Sequence, residues 1–525
     1  MKRTHLLWIV ALALGWLFDF LFWKQTPGIN FAIYALLCLG GGFLALGLNG
    51  FKPSWRSAAL LLPILFFVTA SFVRQEGMSA FLSFCFTLGL MGLLAVTYLG
   101  GRWISYGLLD YLAQYARLVG SMIARPVTFL ADSRKQAPAG EAGARSGWRR
   151  FWAVLRGLLI ALPIVAVFAA LLSSADLVFA QRVDDFIQLF RLEKLPEYIF
   201  RLVYILIGAY ALAGIILHAA QRSQDDKLIG EEKVPVPQFL GFIEAAVILG
   251  AVVLLFAVFG VIQFQYFFGG QTNIGVQGYT YSEYARRGFS ELVLVAFFSL
   301  LLFLGLSAVV KREGAAQRWT FSGLGLGMVA LVGVMLYSAF QRLLLYEAAY
   351  GFSRLRTYTH VFMIWLGLLL AVVVVLDLLR RERLFAPAAL LAAMGFAASL
   401  VLMNVDGFIV RQNVGRAVAG ESLDVAYLAS LSTDSVPALV RAFQDPALTS
   451  RTREAVGAAL ACRLASAPTG QDEDWRSFTL SRWQSQKALS SIQEELGSFQ
   501  ALEDRGLQIE TPSGIIYSCW EYWMD

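Results

Sequence analysis

Arginine, tyrosine and glutamate recur at helical spacing in two segments of an otherwise apolar chain. The first reads Gly-Gly-Gln-Thr-Asn-Ile-Gly-Val-Gln-Gly-Tyr-Thr-Tyr-Ser-Glu-Tyr-Ala-Arg-Arg at 269–287. Thr280 and Glu283 have the spacing of a capping box, so a helix is expected from near Tyr281. On that helix Tyr284, Arg287 and Glu291 share one face, with Arg286 beside them. In the second segment Arg342, Tyr346 and Tyr350 repeat every four residues, with Glu347 among them. Arg354, Arg356, Tyr358 and His360 follow. Guanidinium forks suit phosphate or carboxylate groups, and tyrosine suits a site half in lipid. Together the segments describe a polar site for an anionic group. The competing reading is an aromatic belt whose arginines meet lipid headgroups and a neighbouring domain.

Acids inside apolar runs are the second class of chemical residue. Each costs about 2.5–3.5 kcal/mol at a bilayer centre, so each needs a reason. Asp19, Glu291 and Glu347 fall near the outer ends of such runs. Glu244 falls in the inner third of one, where an ion- or proton-coupled path would need a carboxylate. Asp377 sits beside Arg380 and Arg381, as an interfacial charge pair would. Asp19 lies close enough to an interface to snorkel.

The elements that must hold these residues are membrane helices. The chain is 58% hydrophobic and 15% charged, with mean hydropathy +0.62, against about 25% charged for a soluble chain. A span needs about 20 apolar residues. Eleven runs approach that length: Leu6–Trp23, Ile29–Leu48, Ser57–Val73, Ser79–Arg102, Phe151–Leu172, Tyr198–Ala220, Phe239–Phe264, Gly288–Val310, Phe321–Tyr346, Val361–Leu379 and Leu384–Met403. The first lacks a small-residue cleavage site and reads as an uncleaved span. With the N-terminus in the cytoplasm, every even-numbered connection is basic. The Arg/Tyr segments then face outside, as does everything after Met403. That tail carries ten basic and sixteen acidic residues, a net of −6. The whole chain carries +6, so the remainder carries +12. The basic residues cluster in short loops, which argues against nucleic acid as a partner.

Between spans four and five, Tyr106 to Leu130 is amphipathic and expected along the inner membrane surface. Ala131 to Gly147 reads as a loop. In the tail, Leu423–Leu431, Val436–Phe443, Arg451–Ala465 and Phe478–Phe499 have helical patterning, and Gly506 to Trp520 suits a hairpin of strands. Pro437 fits a first helical turn. The expected division is 1–103 for the N-terminal spans, 104–150 for the amphipathic segment and basic loop, 151–403 for the membrane core and 404–525 for a small helical domain. The fold class is therefore all-α, polytopic, with a C-terminal extramembrane domain.

Several chemistries are excluded. No CxxC or Cys/His cluster is present, so no structural zinc is expected. No Walker loop, HExxH or GxSxG occurs, and no cofactor is implied. Gly323, Gly325 and Gly327, like Gly40, Gly41 and Gly42, lie inside spans and suit close helix packing. Cys462 and Cys519 stand in the tail. In an oxidising compartment they can pair; two buried free thiols is the alternative.

Tyr-Ser-Glu-Tyr-Ala-Arg-Arg-Gly-Phe at 281–289 and Ala-Tyr-Gly-Phe-Ser-Arg-Leu-Arg-Thr-Tyr-Thr at 349–359 resemble a bacterial membrane family, domain of unknown function (DUF) 4173, related to 4153. So do Asn404-x-Asp406 with Ile409 and Asn413, the run Leu-Ala-Ser-Leu-Ser-Thr-Asp-Ser-Val-Pro-Ala-Leu at 428–439, and Asp474-Trp475-Arg476. The resemblance runs from span five to Trp475. It implies the architecture and the bacterial inner membrane, and carries no activity. Three functions fit the residues. One is a transporter, channel or lipid-handling protein with a cavity reaching Glu244. Another is a sensor or scaffold whose tail binds an envelope or signalling protein and whose basic inner segment meets anionic lipid. The third is a lipid-linked transferase using Asp19.

Overall fold

The computed structural model describes residues 3–136, 194–224, 238–268, 289–466, 474–502 and 506–520, with isolated positions between 154 and 182 and at 228. Ten described helices are long and apolar enough to cross a membrane. The run expected at Phe151–Leu172 lies largely outside the described residues. The membrane helices are α1 (Thr4–Phe22), α2 (Ile29–Gly47), α3 (Leu61–Val73, extended by the turn Trp55–Ala58), α4 (Gly77–Thr97), α6 (Leu195–Gln221), α7 (Phe242–Phe268), α8 (Phe289–Val309), α9 (Ala315–Tyr350), α10 (Arg354–Leu378) and α11 (Phe385–Met403). The amphipathic segment is one helix, α5 (Leu108–Gln136), which continues through Pro126.

By their contacts the residues form two compact units. The first comprises Met1–Trp23, Leu37–Lys52 and Ala116–Ser223. Here α1 packs on α6 through Ala11, Ala209 and Ala213, all buried. Of the first glycine triplet, only Gly41 is in a tight place. A Cβ there would lie 3.0 Å from Val10, whereas Gly40 and Gly42 have open space. Lipid tails give apolar helices no reason to associate, so close packing of small residues carries the contact.

The second unit comprises Lys24–Leu36, Pro53–Tyr115 and Gln224–Asp525. Helix α9 packs on α7, α8 and α10, while α3 packs on α4 and α10 on α11. Among the second glycines, only Gly325 is needed for packing. A Cβ there would come within 2.2 Å of the Phe303 ring, while Gly323 has nothing within 4 Å.

The tail begins where Asn404, at φ +53°, turns the chain out of α11. Its side chain accepts from Gly407 N and so starts α12 (Val405–Val418), a helix the sequence reading passed over. Then come α13 (Val425–Ser430), α14 (Val436–Phe443), α15 (Ser450–Ala465), α16 (Leu480–Ser490) and α17 (Gln493–Leu496). Pro437 lies in the first turn of α14. The hairpin expected at Gly506–Trp520 is β2 (Gln508–Glu510) paired antiparallel with β3 (Ile516–Ser518), and β1 (Gln500–Leu502) adds a third antiparallel strand on the other edge of β2. The tail core, with Val436, Leu439, Val456 and Leu460 fully buried, continues into Phe396 and Met403 of α11. Cys462 and Cys519 are joined as a disulfide that closes 57 residues of chain.

Two expectations follow. Gly325→Ala overpacks the contact with Phe303 and lowers stability by about 1–3 kcal/mol, while Gly323→Ala stays within about 0.5 kcal/mol of the parent; thermal unfolding in detergent compares them. Closing a loop of 57 residues stabilises by about 4 kcal/mol in the chain-entropy account. A Cys462→Ser/Cys519→Ser variant should open its tail to trypsin on the order of 1,000-fold more often; an unchanged cleavage rate would contradict the bond's role.

Candidate binding site at the tail end of the bundle

The second unit has two chemically different ends. At one, the turns Arg102–Ser105 and Glu382–Leu384 meet. At the other, the connections 24–28, 74–76 and 351–353 all touch the tail. Ile29 N donates to Phe478 O at 2.8 Å, and Ser477 Oγ donates to Gln25 Oε1 at 3.0 Å. Gln75 N and Glu76 N both donate to Asp434 Oδ2 at 2.8 Å. Burial pushes the Asp434 carboxyl above the usual carboxylate range, against the pull of those amides and of Arg74. Glu76, itself buried, caps α4 by accepting from Met78 N and Ser79 N, and receives the Tyr358 hydroxyl.

The centre of this end is Asp406 in the first turn of α12, with no exposed surface. Arg354 grips it as a fork, Nε to Oδ1 at 2.8 Å and Nη2 to Oδ2 at 2.6 Å. Ser432 N adds a third bond at 2.6 Å. Close by in charge terms is Arg463 of α15, which donates to the carbonyls of Leu431 and Ala429. Burial pushes its guanidinium down to about 10, partly offset by Asp406.

Beside the fork lies a cavity of about 440 Å³ lined by Tyr350, Gly351, Arg356, Asn413, Arg416, Asp424 and Tyr427 among others. The turn between α9 and α10 forms its wall. Gly351 takes φ +79°, and a Cβ there would lie 2.7 Å from Arg416 Nη1 and 2.9 Å from Asn413 Oδ1, so glycine is required twice over. Asn413 brackets the next residue, accepting from Phe352 N at 2.7 Å and donating to Phe352 O at 3.0 Å. Arg416 donates to Ala348 O at 2.8 Å, a cation on the last carbonyls of α9. Arg356 stacks over Tyr346 at 4.1 Å and donates to Gly351 O. Tyr346 and Tyr350 are in ring contact at 5.0 Å. Arg354 N donates to the Tyr427 hydroxyl at 2.9 Å, and burial raises that phenol's pKa. Asp424 is occupied in capping α13 through Tyr427 N.

The expected site is thus only partly assembled by the described residues. Tyr346, Tyr350 and Arg356 meet at the cavity. Arg354 is drawn away into the fork. Arg342 is buried within α9, and Glu347 is fully buried and turned to His360. Glu291 is exposed in the first turn of α8. Tyr281, Glu283, Tyr284, Arg286 and Arg287 lie outside the described residues. Arg416, Asn413 and Tyr427 were missed. Their positions depend on α12 folding back over the α9–α10 turn, which no local spacing announces.

The acids of the spans also need correction. Glu244 stands in the first turn of α7, exposed, accepting from Gly241 N at 2.8 Å. It caps the helix from its first turn, inside the candidate span Phe242–Ile262 and at the end where the sequence places it. Asp377 is a charge pair, but with Arg312 at 3.4 Å, not with Arg380 or Arg381. It also accepts from Ser322. Asp19, in the first unit, is buried, with Arg201 and Tyr204 both donating to it. Arg201 is stacked over Trp23 at 4.9 Å. Among the described residues no cluster of acid, histidine and cysteine suited to a metal occurs.

The chain matches the family model "Domain of unknown function (DUF4153)" over residues 61–442. It therefore belongs to that family. No curated protein and no solved structure matches it.

Removing one member of a buried ion pair strands the other, at a cost of about 3–5 kcal/mol. Asp406→Ala should cost that much in detergent unfolding, and Arg354→Met/Asp406→Leu should recover most of it. A loss under about 1 kcal/mol in the single variant would show that the fork does not hold the tail.

Proposed function

We propose that the protein is an envelope-facing binding protein of the bacterial inner membrane that captures an anionic group, phosphate or carboxylate, in the cavity beside the α9–α10 turn. The observation that carries this reading is the pair Arg356 and Arg416, from different helices, lining one cavity of about 440 Å³ with Tyr350 and Tyr427. Two guanidinium heads and phenol rims suit a phosphorylated headgroup or cell-wall precursor half in lipid.

The proposed orientation has the N-terminus in the cytoplasm and the tail outside. The basic even-numbered connections support it, and so does a disulfide in the tail, which belongs in an oxidising compartment. Membrane lipids are the first partners to test. An envelope or signalling protein docking on the tail is the second reading, favoured by how firmly the tail is bonded to the helix connections. The transferase reading loses its candidate group, since Asp19 is occupied by Arg201 and Tyr204. A transport path through Glu244 loses support as well. The finer likeness, to DUF4173, rests on the segments 281–289 and 349–359.

Titration of the detergent-purified protein with short-chain phosphatidylglycerol and with phosphatidylcholine tests the proposal. The anionic lipid should bind more tightly, and Arg356→Gln should weaken it about tenfold or more, the worth of a charge-assisted hydrogen bond. Equal affinity for both lipids, or no effect of Arg356→Gln, would contradict the reading.

A further inference from the structure

Glu347 has no part in the cavity. It lies in the last turn of α9, with no surface open to solvent. Among the described residues, neither carboxylate oxygen accepts a hydrogen bond. Its ion-pair partner among the described residues is His360 of α10, whose Nδ1 is 3.3 Å from Oε1. His360 Nε2 is also buried and without a hydrogen-bond partner. The Phe340 ring packs on the imidazole at 4.4 Å and keeps this side apolar.

The other buried acids of this unit are treated differently. Asp406 accepts from Arg354 and Ser432 N. Asp434 accepts from two backbone amides, as does Glu76. Asp377 has Arg312 and Ser322. Each of those acids accepts from at least two donors. Glu347 is given none, only a titratable base at its side. An uncompensated ion here would cost several kcal/mol. Two arrangements avoid that cost: a neutral acid beside a neutral imidazole, and a carboxylate beside an imidazolium. Each contains one proton. Loss of that proton leaves a bare anion, and gain of a second leaves a bare cation.

We propose that Glu347 and His360 form a proton-binding site within the membrane helices. It holds a single proton between carboxylate and imidazole and changes its charge only when that proton leaves or a second arrives. The other charged residues on the packed helices are Glu291 on α8, Arg318 and Arg342 on α9, Arg354, Arg356 and Asp377 on α10, and Asp406, Arg411 and Arg416 on α12, with Glu76 bonded to Tyr358 of α10. Arg354 is engaged by Asp406, and Arg356 lies on Tyr346. Helix α11 carries no charged residue, and the only one on α7 is Glu244 at the opposite end. The site is independent of whether the cavity beside Arg356 binds an anion.

The chain has three histidines, His5, His218 and His360, so imidazole C2 hydrogen–deuterium exchange read by mass spectrometry follows each titration in the full-length protein in detergent. Infrared difference spectra in H2O and D2O report a buried carboxylic acid in the same sample. If the proton rests on the imidazole, the His360 midpoint differs from that of His5 and Glu347→Gln removes the difference. If it rests on the carboxylate, a deuterium-sensitive carboxylic-acid band is present and Glu347→Gln deletes it. Either result supports the site. A His360 midpoint equal to that of His5, together with no such band in the unaltered protein, overturns it whether or not the variant folds.

Discussion

The charge pair between Arg354 and Asp406 is the constraint on which the second unit depends. Asp406 has no exposed surface, so its charge is tolerable only while Arg354 and Ser432 N bond it. Those three residues come from the start of a membrane helix, the start of the first tail helix and a later tail turn. Satisfying one carboxylate therefore fixes where α12 and the Ser432 turn stand against α10. Once α12 is fixed, Asn413 and Arg416 reach the α9–α10 turn, and Gly351 is held against them. The cavity is a consequence of the fork.

The same logic sorts the other charges that a bilayer would penalise. Asp19 is matched by Arg201 and Tyr204 inside its own unit. Asp377 is matched by Arg312 and Ser322. Each is an ion held by donors, and each contributes to which helices sit together. What remains for function is the cavity that Arg356 and Arg416 line while they bond the α9–α10 turn, and the pair of Glu347 with His360.

Much of the architecture was legible in the sequence because lipid imposes it. Apolar runs of span length, the proline in the first turn of α14 and the helical patterning of the tail follow from local composition. Even the glycine triplets pointed to close packing, although only one glycine of each is pressed against a neighbour. The site was less legible, because spacing reports faces of one helix and not which faces meet. Tyr346, Tyr350 and Arg356 were found that way. Arg354, two residues earlier, looked equivalent and is spent on a partner 52 positions away. Asp377 lay next to two arginines in sequence yet pairs with Arg312, 65 positions off. Glu244 was legible as an acid near one end of its run, but not as a helix cap, because the run starts at Phe239 and the helix only at Phe242.

The central claim is that the tail is held outside, over the cavity, by the Arg354 and Asp406 pair. An alkaline-phosphatase fusion after Asp525 in a bacterial host tests it most directly. The account predicts high phosphatase activity, as the proposed orientation with the tail outside requires. An inactive fusion, shown by immunoblot to be expressed and membrane-inserted, would contradict it and turn the cavity toward the cytoplasm.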